Sequence, residues 1–157
     1  MFMKIKKGFA IVEILVVLAV VAILVSIVLV SMGSAREKMR DAQRMADLKK
    51  VSSVQQKYYD VSKKFFTAVS QNNIPEMEAY FPLTVDPKNN EPLVYKWVDN
   101  TADNQKFCLY AHMENSGSCS DVRYFVATNI GYREVCGSFN FSIPLTLDNC
   151  VNFSGFK

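Results

Sequence analysis

From Phe9 to Met32 the chain runs for 24 residues in which only Glu13, Ser26 and Ser31 are polar. As a helix rising about 1.5 Å per residue, this run reaches roughly 36 Å, more than the ~30 Å of a bilayer's hydrocarbon core. The pattern then changes. Ala35, Met39, Ala42, Ala46, Val51, Val54, Tyr58, Val61 and Phe65 recur mostly every three or four residues. Arg36, Lys38, Arg40, Asp41, Arg44, Asp47, Lys49 and Lys50 stand between them. This spacing predicts an amphipathic helix over 34–66, with no Pro or Gly to interrupt it. Residues 67–92 carry four of the five prolines and two Asn-Asn pairs, which reads as a turn-rich connector. A short helix is predicted from Pro75 to Phe81, with Asn73 near its cap. Strands are predicted over Leu93–Val98, Lys106–Met113 and Val122–Thr128, separated by a hairpin loop from Asp99 to Gln105 and a turn at Asn115-Ser-Gly-Ser. A three-stranded antiparallel meander laid on the second half of the helix gives an α+β fold.

Charge refines this picture. The chain has 157 residues and a net charge of +3, enough for one domain plus an anchor. Lys4, Lys6 and Lys7 account for that excess and place the N-terminal flank of the apolar run on the cytoplasmic side. Arg36 to Lys64 is net +5 and the chain from Phe65 onward is net −4. Two readings of this split stand: ordinary solvated surfaces, or a basic stem and an acidic head that attract one another between neighbouring copies. An acidic head argues against nucleic acid as a partner.

Candidate chemistry is sparse. His112 is the only histidine, with no second His and no nearby nucleophile, and reads as a strand residue. No catalytic constellation and no glycine-rich phosphate loop emerges, so the expectation is a non-enzyme without cofactor or metal. Cys108, Cys119, Cys136 and Cys150 all lie in the head, an even number that fits disulfides formed outside the cytoplasm. Three pairings are possible, and no Cys-x-x-Cys supports a metal site instead. Asn140-Phe-Ser and Asn152-Phe-Ser match glycan acceptor sequons.

Glu13 is the anomaly, because a carboxylate inside a membrane helix costs about 2.5–3.5 kcal/mol and needs a partner. A cut between Gly8 and Phe9 would create an ammonium about one turn before it. In a staggered bundle of identical helices, one chain's amine would then meet the next chain's Glu13 and set axial register.

The residues Lys-Gly-Phe-Ala-Ile-Val-Glu-Ile-Leu, from Lys7 to Leu15, resemble the class III signal of type IV pilins and type II secretion pseudopilins. The resemblance maps Gly8 onto the cleavage site, Phe9 onto the N-methylated first residue and Glu13 onto the register glutamate. Ser34 to Lys50 and the Asp86-Pro turn are similar to pilin segments that follow. Where many members carry a proline in the anchor, Val30 stands here, and Gly33 with Ser34 offers an alternative weak point. The implied organisation is a leader over 1–8, a membrane or filament-core helix over 9–33, an amphipathic helix over 34–66, a connecting loop over 67–92 and a β head over 93–157. The family's C-terminal disulfide region favours pairing Cys136 with Cys150 and Cys108 with Cys119. Some pseudopilins hold calcium in the head, but Asp99, Asn100 and Asp103 lack the Gly and distal Glu of such a loop and read as a hairpin turn.

What the resemblance implies is a structural subunit, as in a major pilin of a type IV pilus. Such a chain enters the cytoplasmic membrane as a single-pass precursor, is matured by a prepilin peptidase and is assembled by the pilus machinery into an extracellular homopolymeric filament. A pseudopilin of a type II secretion system is the near alternative, and a minor pilin that binds DNA or a surface is a further one.

Overall fold

The computed structural model describes residues 11–77, 80–137 and 145–152. The chain divides into two units, Met1–Arg36 and Glu37–Lys157. Helix α1 spans Ile11–Ser62, its backbone helical through Val30, Gly33 and Ser34. It stops four residues short of the predicted end. Lys63 takes a left-handed φ of 56°, and its N–H bonds the carbonyl of Tyr59 at 2.8 Å, an αL cap that turns the chain out of the helix. Phe65 then folds back to stack on Tyr59, with ring centroids 4.7 Å apart.

The second unit is built on five antiparallel strands in sequence order: β1 (Gln71–Asn72), β2 (Tyr95–Trp97), β3 (Cys108–His112), β4 (Arg123–Thr128) and β5 (Gly131–Cys136). The fold is α+β, with the predicted meander at its centre and a strand added at each side. Strand β5 lies beyond the three predicted strands, within the expected β head. Gly131, at a φ of 126°, closes a tight turn after Asn129 and Ile130, and Thr128 Oγ1 accepts from the Ile130 N–H at 3.3 Å. The predicted helix at Pro75–Phe81 is corrected by the pairing of Met77 with Phe81 and of Ile74 with Thr84 as isolated bridges. Asn73, expected near the cap of this helix, instead takes a left-handed φ of 69° and donates its N–H to the Tyr95 carbonyl at 2.7 Å.

Strands β3 and β4 are buried on both faces, so their side chains alternate between two cores. Leu109, Ala111, Phe125 and Ala127 face one cluster with Trp97, Phe107, Leu48 and Val51. Tyr110, Tyr124 and Val126 face the other, covered by Leu145, Cys150 and Val151. The last two belong to α2 (Leu147–Val151), capped by Thr146, whose Oγ1 accepts from the Asn149 N–H at 3.3 Å.

The disulfides are Cys108–Cys150 and Cys119–Cys136, with Cα separations of 6.1 and 5.5 Å. This corrects the expected pairing. Cys108 points from β3 into the second core, where α2 brings Cys150. Cys136 ends β5 opposite Arg123, beside the loop that carries Cys119.

The buried stripe of α1 also differs from the expected one. Met39 is 68% exposed and Val61 78%, whereas Asp41, Arg44, Leu48, Val51 and Gln55 are buried. Their spacing of three and four residues is equally helical. The stripe that packs on the sheet therefore contains two charges.

Candidate functional site

Two features of α1 stand out: an apolar segment without protein cover, and a charged clasp further along. Every large apolar side chain described from Ile11 to Leu29 is at least 47% exposed, far beyond the apolar patches of ordinary soluble chains. Backbone polar groups here are satisfied within the helix, and Ser26 Oγ donates to the Ala22 carbonyl at 2.8 Å. Near the N-terminus, this one helix is long and apolar enough to cross a membrane. At about 0.3–0.6 kcal/mol for each Leu, Ile or Val placed in hydrocarbon, such a run outweighs the ~3 kcal/mol cost of one carboxylate.

That carboxylate, Glu13, lies in the first turn of α1 and is exposed. Among the described residues nothing pairs with it. The other residues the sequence singled out at this end, Gly8, Phe9, Lys4, Lys6 and Lys7, lie outside the described residues, as does Asn140.

The clasp holds α1 to the sheet. Arg44 is fully buried, and its guanidinium forks onto Asp86, Nε to Oδ2 at 2.6 Å and Nη2 to Oδ1 at 2.8 Å. Its Nη1 donates to Asp41 Oδ1 at 2.9 Å and Glu114 Oε1 at 2.8 Å. Asp41 in turn accepts from the Glu114 and Asn115 N–H groups, each at 2.9 Å, and from Arg123 Nη2 at 3.1 Å. Asp86 accepts from the N–H of Lys88 at 2.9 Å, which shapes the Asp-Pro turn. Arg40 reaches Glu114 through Nε at 2.7 Å. That bond, reinforced by Arg44 against the opposing effect of burial, holds the Glu114 carboxyl down at about 2. One turn along, Tyr95 OH donates to Asp47 Oδ2 at 2.7 Å, and burial together with this bond raises the phenol well above its ordinary value. The helix, the connector and the β3–β4 loop thus converge on one buried guanidinium, and β4 joins through the Arg123 bond to Asp41. Linked through Arg44 and Asp41, these groups fix the stem on the head.

Asn100 does similar work in the β2–β3 loop. Its Oδ1 accepts from the Ala68 N–H at 3.0 Å and Trp97 Nε1 at 3.3 Å, and its Nδ2 donates to the carbonyls of Phe66 and Lys106, each at 3.0 Å. Asp99 Oδ1 accepts from the Thr101 N–H at 2.8 Å. Both residues shape the hairpin turn. His112 sits half-buried at the end of β3 against Tyr124, and burial lowers its pKa.

Sequence reasoning missed the clasp. Its one advance signal is the opposite charge at Asp41 and Arg44, three residues apart and in phase with Leu48, Val51 and Gln55. Comparison of the chain with family models, curated proteins and solved structures finds no match.

Proposed function

We propose that this chain is a structural subunit of a helical surface filament, of the type IV pilin or pseudopilin kind. In this reading it enters the cytoplasmic membrane as a single-pass precursor. A prepilin peptidase cuts after Gly8, Phe9 becomes the methylated first residue, and the assembly machinery moves the subunit from lipid into a polymer of its own kind.

The observation that carries the reading is the uncovered apolar segment of α1 with Glu13 inside it. Lipid satisfies the apolar side chains before assembly and neighbouring helices satisfy them afterwards. Only the second environment supplies a cation at the right depth, the free amine of an adjacent chain. Asp41, Arg44, Asp86, Glu114 and Asn100 are engaged in holding α1 and the loops, which supports a building block.

The test is the mass of the N-terminal peptide of the protein from its native cell. A peptide that begins at Phe9 with one extra methyl is expected, and one that begins at Met1 in surface-exposed protein overturns the reading. Glu13→Ala should leave insertion and cleavage intact but abolish filaments.

A further inference from the structure

The back of α1 in the second unit carries cations that have no ion-pair partner among the described residues. Lys38 and Lys49 are eleven residues apart, three helical turns, and Lys50 and Lys57 are seven apart, two turns. By helical spacing they form two rows about 100° apart, the first on the flank of the buried stripe and the second opposite Asp41, Arg44, Leu48 and Val51. All four are exposed, and Lys63 and Lys64 continue the charge past the helix end. Among the described residues none of these lysines makes an ion pair. Lys49 rests over the rings of Phe125 and Tyr132, at 5.7 and 5.3 Å, and Lys50 over that of Phe81, at 5.2 Å. Asp60 is the carboxylate on the same face, and it accepts from Gln56.

The head shows the converse. Lys88, Lys96 and Lys106 are each spent on a carboxylate of their own head, Glu114, Glu91 and Asp148 respectively. Glu76, Asp99 and Asp121 remain exposed and outside any ion pair among the described residues. The chain from Phe65 onward is net −4, against +5 for Arg36 to Lys64. Positive surplus on one element and negative surplus on another is what a head-to-tail contact between identical chains uses, and a contact of that kind propagates instead of closing.

From this complementarity we infer that the basic back of α1 is a docking face for the acidic head of a second copy of this chain. The inference rests on the filament reading and adds the surface that selects the neighbour. Exposed pairs of this kind are individually weak and screened by salt, so the contact guides register and on-rate while apolar helix packing supplies most of the adhesion.

The experiment treats assembled full-length protein with a zero-length carbodiimide crosslinker and maps the joined peptides by mass spectrometry. Bonds from Lys38, Lys49, Lys50 or Lys57 to head carboxylates of another copy are expected, confined to assembled material. Lys38→Glu/Lys57→Glu should fold with an unchanged melting temperature and yield about tenfold less filament at low salt. Lys38→Arg/Lys57→Arg should assemble normally, and reversing the crosslinked carboxylate to Lys should rescue the Glu variant. Filaments that form without such crosslinks, and equally well from the Glu variant, overturn the inference alone. Wild-type protein that never polymerises overturns the filament reading as well, and does so before any variant is made. Protection of these lysines from acylation in phosphatidylglycerol but not phosphatidylcholine vesicles, with no inter-copy crosslinks, assigns the face to anionic lipid and also overturns it.

Discussion

Replacing Arg44 by methionine keeps most of the side chain's length and apolar stem but removes the guanidinium at the centre of the clasp. Asp86, itself buried, loses both oxygens' bonds to Arg44 and keeps only backbone N–H donors at Lys88 and Asn89. Asp41 and Glu114 each lose one bond but retain Arg123 and Arg40. The damage is therefore concentrated on Asp86, a carboxylate stranded away from water. Breaking a buried pair by removing one partner costs about 3–5 kcal/mol. For a unit of this size that is a fall in melting temperature of roughly 10–15 °C. Trp97, the chain's only tryptophan, is buried under α1 and reports the loss directly. The assay is thermal unfolding of the full-length protein in mild detergent, followed by Trp97 fluorescence, with Lys88→Met as the control. Lys88 meets Glu114 at 3.4 Å from an exposed position, and its loss should cost under about 1 kcal/mol. Equal shifts for the two variants would show that the buried guanidinium does not hold the stem to the head.

Acid should weaken the same clasp. The Glu114 carboxyl is held at about 2 in the fold against 4.5 when free, so its contribution is complete above pH 4.5 and is lost as pH falls from there toward 2. Glu114→Gln should flatten that part of the stability–pH curve, and an unchanged slope would remove Glu114 from the account. Non-reducing peptide mapping should join Cys108 to Cys150 and Cys119 to Cys136, whereas a Cys136–Cys150 peptide would refute the observed connectivity. The loop-entropy model assigns about 4 kcal/mol to the longer loop and about 3 kcal/mol to the shorter, so Cys150→Ser should destabilise more than Cys119→Ser.

The parts of the fold written in periodicity were legible from the sequence. The apolar run, the helix that follows it and the three central strands all rest on the pattern of apolar residues, continuous in the run, spaced by three and four in the helix, and alternating or continuous in the strands. Rules that treat charge as solvated could not see the clasp. Asp41 and Arg44 were read as the wet side of the helix, although their partners at Asp86 and Glu114, 42 and 70 residues beyond Arg44, draw them inward. Such partners are far away in sequence and leave no local trace. The cysteine pairing failed for a related reason. The family resemblance favours Cys136 with Cys150, but strand alternation turns Cys108 toward α2 and leaves Cys136 at the edge with Cys119. Strand β5 alternates poorly, with Tyr132, Arg133 and Glu134 all exposed, so its existence depends on pairing with β4 rather than on its own pattern.

The two disulfides are nested, Cys119–Cys136 lying wholly inside the loop closed by Cys108–Cys150. Mechanical load applied between the helix and the C-terminus would therefore pass from β3 straight into α2 through sulfur. The 42-residue stretch between those cysteines, worth about 140 Å of contour length at ~3.4 Å per residue, cannot be drawn out. Strands β4 and β5 ride outside the line of tension. Between the helix and Cys150 the chain ahead of Cys108 is what can yield, so the elastic limit of that path is set at the connector and at the bonds around Arg44.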